Sequence, residues 1–481
     1  MEKYTFETET TNGTVTITGV NIEEGVTEIV IPSTIDGTPV TKIERRAFSG
    51  CTGLTSFIVD EKNPDYQSIN GLLCSKDGKT FIICPGGLTS VVIPSCVTKI
   101  GVDAFSGCTG LTSVVIPSSV TEIGSDAFRN CTGLTTVLIP SSVTKIERSA
   151  FCDCSSLTSF IVDEKNLDYQ SINGLLCSKD GKTLIACPGG LTSVEIPSSV
   201  TEIGDWAFRG CTGLTSVVIP EGVTSIGWCA FDGCTGLTSV EIPSSVTEIE
   251  RSAFFDCSSL TAFTIDEKNP DYQSINGLLC SKDGKTLIAC PGGLTSVEIP
   301  SSVTEIGEFA FEGCTGLTSV VIPSSVTKMG RRAFDGCSSL ISVEIPSSVV
   351  KIEFRAFFGC TGLTSVVIPE GVTSIGETAF EGCTGLTSVE IPSSVTEIGR
   401  YAFFDCIGLT SVVIPSSVTE IGEQAFWGCT GLTSVEISDS VTEIGYEAFW
   451  GCRGLTSVVI PKGCKVGYDA FPEKVKIIKA K

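Results

Sequence analysis

The stretch Leu111–Gly133, LTSVVIPSSVTEIGSDAFRNCTG, decides the fold. Leu111, Val114 and Ile116 follow an L-x-x-V-x-I pattern, which reads as a short strand with one face inward. Pro117 ends that strand, because proline has no N–H to give to a continuing ladder. Val120 and Ile123 make a second short extended piece. Ala127, Phe128 and Cys131 are expected to point inward from a helical turn. About a third of the stretch is thus apolar and core-facing. One copy cannot bury that much by itself; stacked copies can.

The Ala-Phe dipeptide sets the period. Phe105, Phe128 and Phe151 are 23 residues apart. From Phe151 to Phe208 the gap is 57, which is 23 plus 34, and Phe48, Phe151 and Phe254 are 103 apart. A 23-residue coil therefore sits inside a 103-residue super-repeat. Repeat arrays grow without adding domains, so the 481 residues are expected to form one solenoid, 1–481. Residues 1–47 make an N-terminal cap and first coil, with alternation suited to paired strands. Residues 48–460 carry the repeats, and 461–481, ending in the basic AFPEKVKIIKAK, form a C-terminal cap. With both ends atypical, the array is expected to be complete.

The extra 34 residues are inserts near 60–87, 163–190 and 266–293. The first reads DEKNPDYQSINGLLCSKDGKTFIICPGG. Asp77–Gly78 is a two-residue hairpin signal. It would set Cys74 opposite Phe81 and Cys84 opposite Gly71. Asp60, Asn63 and Asp65 give D-x-x-N-x-D, which has the donors of a calcium loop without EF-hand spacing. An Asn-Pro-Asp turn is the favoured reading.

The unit GCTGLTSVVIPSSVTEIGxxAF, the opening GTVTITG…IPSTIDGTPVTKIERRAF and the insert YQSINGLLCSKDGKT together resemble the BspA-like, Treponema pallidum-type class of leucine-rich repeats, over nearly the whole chain. The resemblance implies an α/β repeat solenoid: a leucine-rich-repeat curved rod with 23-residue coils, a parallel sheet on one face and three β-hairpin-containing inserts. Members of that class are mostly bacterial and protozoan surface or secreted proteins implicated in adhesion and host-protein binding. It therefore implies a binding scaffold, at the cell surface or secreted, for a protein ligand such as a host or extracellular-matrix protein. The polar first residues do not read as a signal peptide, which makes a cytoplasmic location the alternative.

Composition narrows the function. Acidic residues number 55 against 32 Lys and Arg, for a net charge of -23. Such a chain is a poor ligand for nucleic acid or an anionic membrane surface, and no apolar run approaches the length of a membrane span. There is no histidine, so no imidazole serves as base, acid or metal ligand. Ser and Thr have no base beside them, and PGG lacks the Lys-Ser/Thr of a phosphate loop. The chain is read as no enzyme, with no cofactor and no metal.

Most of the 24 cysteines recur at one repeat position, as at Cys108, Cys131 and Cys154. Stacked coils set such neighbours ~4.8 Å apart with parallel Cβ directions, whereas a disulfide needs converging Cβ atoms ~3.8 Å apart. They read as buried free thiols.

Three positions per coil escape the copying: the two before Ala-Phe and the one after. All four tryptophans fall there. Exposed positions free to drift would be mostly polar, and Trp, Tyr and Arg dominate binding hot spots. The candidate surface is Trp206, Arg209, Trp228, Phe255, Phe309, Arg331, Arg332, Phe354, Phe358, Tyr401, Phe404, Trp427, Tyr446 and Trp450, with packing between coils and simple drift as the other readings. A second surface is the regular sheet face, where Glu195 and Glu241 alternate with Val218 and its equivalents. The function expected is a non-enzymatic protein-binding or adhesion scaffold that presents this variable, aromatic-rich surface to a protein or glycan, as a monomer rather than an oligomer. The alternative is a structural protein self-assembling into a layer or fibre.

Overall fold

The computed structural model describes residues 3–480. The chain divides into two compact units, Met1–Leu237 with Glu248–Ala253 and Thr238–Thr247 with Phe254–Lys481. Both are β-solenoids with coils of about 23 residues.

Each coil contributes two short strands. In the first unit Ser193–Glu195 pairs in parallel with Ser216–Val218, Val194 opposite Val217. The second piece, Glu202–Ile203, pairs with Ser225–Ile226. In the second unit the same two rungs build a seven-stranded sheet from Ser296–Glu298 to Ser434–Ile437 and a six-stranded sheet from Lys351–Ile352 to Lys465–Val466. The register is fixed by identity: because coils are copies, each apolar residue lies over its own equivalent. The Ala-Phe phenylalanines show the result. Phe334, Phe357 and Phe380 stack with centroids 5.2 and 5.3 Å apart and planes within 6°, and all three are fully buried.

The expected helical turn is absent. No helix occurs among the described residues, and the fold is a β-solenoid rather than an α/β one. The hydrogen bonds give the reason. The N–H groups of Ala207, Arg209 and Cys211 close tight turns onto the carbonyls of Gly204, Trp206 and Phe208. Those of Trp206, Phe208 and Gly210 instead leave the coil and donate to Trp228, Ala230 and Asp232 of the next one, at 3.0, 2.7 and 2.8 Å. A helix needs successive N–H groups for its own i−4 carbonyls; here every second one is spent between coils.

The cysteine position belongs to the same ladder. Cys131 Sγ donates to the Phe105 carbonyl at 3.1 Å, and Cys234, Cys337 and Cys406 repeat the contact onto Phe208, Phe311 and Phe380. The thiol thus acts as a small apolar group that also serves a buried carbonyl. All 24 cysteines are free.

The N-terminal end of the first unit opens with the antiparallel pair Tyr4–Thr11 and Thr14–Ile22. Its inserts, like that of the second unit, are three-stranded meanders. In one, Tyr169–Ile172 and Leu175–Ser178 are joined by Asn173–Gly174, both with positive φ (52° and 81°), a two-residue hairpin turn. The tight hairpin turn is therefore Asn-Gly (Asn70–Gly71 in the first insert), while Asp77–Gly78 lies in the next, wider connection. Cys74 does face Phe81, but Cys84 leaves the ladder: its N–H goes to Ala104, and the Gly71 carbonyl accepts from Phe57. The last strand, Thr183–Ala186, pairs with Glu202–Ile203 as a coil's second strand would. Inserts are built into the wall rather than hung from it.

The D-x-x-N-x-D stretch is a turn. Asn166 is fully buried; its Nδ2 donates to Pro140 and Val143 at 2.8 and 2.9 Å, and its Oδ1 accepts from Asp168 and Tyr169. Asp163 Oδ1 accepts from the Lys165 N–H. Asn166 Oδ1 and Asp163 Oδ1 are thus spent on closing the turn. Among the described residues, no helix is long and apolar enough to cross a membrane.

Candidate functional site

In the coils from Phe105 to Phe449 the turn segment holds two residues in the left-handed region, and the two are filled by different rules. The one two places after the phenylalanine is Gly, Asn or Asp throughout: Gly107, Asn130, Asp153, Gly210, Gly233, Asp256, with φ between 52° and 77°. That is what backbone sterics ask for. The other, immediately before Ala-Phe, has the same φ but a mixed filling: beside small or polar residues such as Asp103, Asp126, Ser149 and Gln424 it holds Trp206 (57°), Phe309 (62°), Arg332 (56°), Arg355 (55°), Thr378 (55°) and Tyr401 (56°). A left-handed residue with a bulky side chain costs roughly 1–2 kcal/mol. The turn sets the geometry; something else sets the side chain.

Those side chains, with their neighbours one place before and three after, form clusters along the turn edge. In the first unit Trp206 meets Trp228 (4.8 Å between centroids), and the guanidiniums of Arg148 and Arg209 lie 5.6 and 5.5 Å from the Trp206 ring. Arg209 is also 3.0 Å from Asp232. In the second unit Arg332 lies over Phe309 and pairs with Glu312 and Asp335 at 3.1 and 2.7 Å. Burial pushes the Asp335 carboxyl up against the opposing pull of Arg332. Arg331 and Arg355 flank Phe354, and Arg355 sits 3.8 Å over Phe358. Phe255 packs against Gly313.

After a coil with Glu377, Thr378 and Glu381 at the three positions, aromatics return. Phe404, Trp427 and Trp450 stack at 4.5 and 5.3 Å, Tyr401 meets Phe404 edge-on, and Tyr446 stacks on Tyr468. Trp228, Tyr446 and Trp450 keep 39%, 42% and 42% of their surface exposed, and Tyr468 76%. The structure thus gathers the sequence candidates into clusters rather than one unbroken ladder, and much of each ring is spent on its neighbour. Sequence reasoning missed Arg148. Its signal was available: it occupies a variable position in the coil of Phe151, just before an insert.

The sheet face differs. Its threonine hydroxyls are internally used, as where Thr112 and Thr158 donate to the carbonyls of Thr89 and Thr135 at 3.0 and 3.1 Å. Uniform and hydrogen-bonded to itself, it offers a partner little that varies along the chain.

Comparison with known proteins agrees with this architecture. The family model for the BspA type leucine rich repeat region matches residues 16–70, 78–176, 184–279, 287–381 and 350–478. No curated protein matches the chain. Among solved structures, a leucine rich cell surface protein from Faecalibacterium prausnitzii is 30% identical over 91% of this chain and 94% of that one, with a TM-score of 0.44. A leucine-rich repeat protein from Eubacterium ventriosum is 22% identical, covering 81% and 93%, with a TM-score of 0.51. A Treponema pallidum leucine rich repeat protein is 22% identical over 70% and 87%, with a TM-score of 0.19. With its coils matched from residue 16 to residue 478, the chain belongs to the BspA-type leucine-rich-repeat family.

Proposed function

We propose that the protein is a cell-surface adhesion scaffold whose turn edge, with its clustered Trp, Tyr, Phe and Arg, is the surface that grips a protein partner. One observation carries the reading: bulky side chains kept at left-handed positions. An exposed Gly, Asn or Asp there would relax the backbone. A stacked ring returns about 0.5–1.5 kcal/mol and an exposed cation–π contact about 0.5–1, which roughly offsets the conformational cost. Folding therefore gains little from Trp206, Phe309 or Tyr401, and a contact surface explains their retention. Half-exposed aromatics beside arginines are the composition of binding hot spots.

The test is hydroxyl-radical footprinting on a panel of immobilised extracellular-matrix proteins. Bound protein is expected to show Trp206, Phe309 and Tyr401, together with Trp427 and Trp450, protected from oxidation and the sheet face unchanged. Protection of the sheet face alone would move the site there. Growth with concentration in light scattering, without matrix binding, would favour self-assembly.

A further inference from the structure

Each insert takes the place of one Ala-Phe turn and so interrupts the turn ladder. In the second block the coil before the insert carries Phe151. Upstream, Phe105 donates to Ala127 and Phe128 to Ala150, while Asp126 donates to Arg148. The next donors in these files, the N–H groups of Ser149 and Phe151, meet no acceptor among the described residues. The peptide dipoles of each file point the same way, so its open end carries partial positive charge.

Opposite stands the coil of Phe208. Between them lies a notch of about 280 Å³. It is blind: Gly210 packs on Asp153 at one end, and Cys187, whose N–H takes the Ala207 carbonyl, forms its floor. Arg148 is exposed at the rim and forms no ion pair among the described residues, its guanidinium facing the Trp206 ring. Arg209 straps the gap, Nη1 donating to Ser149 Oγ at 3.1 Å. The acidic groups of the lining are engaged elsewhere: Glu147 with Lys145, Glu202 with the Thr183 hydroxyl, Asp205 with the Trp228 N–H.

The same notch exists 103 residues earlier, where Arg45, Arg46 and Asp103 stand in the places of Arg148, Ser149 and Trp206. There it shrinks to about 30 Å³. Asp103 lines it with Arg45 and Arg46, and its Oδ1 is buried without a hydrogen-bond partner. In that block a carboxylate stands among the lining residues; in the next, tryptophan replaces the aspartate and the space is about 280 Å³.

We propose that the notch between Arg148 and Trp206 binds the carboxylate end group of a partner peptide, its oxygens on the Ser149 and Phe151 N–H groups and the Arg148 guanidinium, and its last residue against the indole. A blind notch takes an end group, not a strand running through. The notch shares Trp206, Arg148 and Arg209 with the turn edge, but it takes a free end group rather than a protein surface, so either reading can fail alone.

The test is calorimetric titration with three probes: acetyl-trialanine as the free acid, the same peptide as its C-terminal amide, and amidated acetyl-Ala-Asp-Ala. The acid is expected to bind saturably and the amide of trialanine not to bind. Arg148→Gln should weaken the acid about tenfold or more without moving the unfolding midpoint. Trp206→Asp, which rebuilds the first block's arrangement, should abolish binding. Binding of the aspartyl peptide as tight as that of the acid would make an acidic side chain the source of the carboxylate. Equal binding of trialanine acid and amide, no binding at about 10 mM peptide, or an Arg148→Gln protein that binds like the parent would overturn the proposal.

Discussion

Trp206 is held at φ 57° in a turn that the coils from Phe105 to Phe449 repeat. Its conformation belongs to the stack; its identity does not. The distinction predicts opposite responses at equivalent residues. Thr378 is β-branched, nearly buried and left-handed at 55°, and it has no ring to stack. Thr378→Gly removes the clash of Cβ with the backbone, and is expected to raise stability by about 1 kcal/mol, read as a higher denaturation midpoint. An unchanged or lower midpoint would mean that the turn does not bear this strain. The thiols give a second residue-scale test. Burial pushes Cys74, Cys154 and Cys383 up to about 12 and Cys177 and Cys280 up to about 11. In the unfolded chain these groups ionise near pH ~8.5. Below that pH their contribution to stability is whole; it declines as pH rises toward the folded values, because the unfolded chain then binds fewer protons. At pH 8 a thiol reagent should label only exposed Cys96 and part-exposed Cys464 quickly, with the remainder released by denaturant. Fast labelling of the Cys131 or Cys383 position in the native protein would contradict the ladder.

At the scale of elements, the strands were legible because period-2 burial and a terminating proline repeat in most coils. The turn was not. Ala127, Phe128 and Cys131 have spacing that suits a helical turn as well as this ladder, and the choice rests on hydrogen bonds to a neighbouring coil. A local signal did exist: from Phe48 to Phe449, Gly, Asn or Asp stands two places after the Ala-Phe phenylalanine, which is unsuited to a helix interior. The hairpin was half read. Asn70–Gly71 is a stronger two-residue turn than Asp77–Gly78, and both were present. The buried asparagine of each insert is the element's anchor, since it ties the insert to the preceding coil through Pro140 and Val143. Asn166→Ala strands two carbonyls and two N–H groups and should cost about 3 kcal/mol. A loss under 1 kcal/mol, by denaturant titration, would show that water replaces those bonds easily.

At the scale of the whole molecule, the copied positions build a scaffold and the three variable ones are left free. The candidate surface could be located from sequence as the places where copying stops. Its clustering could not, because Arg148 meets Trp206 across an insert and Phe404 meets Trp427 across a coil boundary. A net charge of -23 suits neutral or basic partners and opposes self-association of like-charged copies. The central claim is that aromatics at left-handed positions serve contact and not folding. The most direct measurement is the unfolding free energy and matrix-protein affinity of a Phe309→Gly/Tyr401→Gly variant. The account predicts stability within about 1 kcal/mol of the parent and affinity lowered about tenfold or more. Stability lower by several kcal/mol with affinity unchanged would contradict it and make these rings part of the packing.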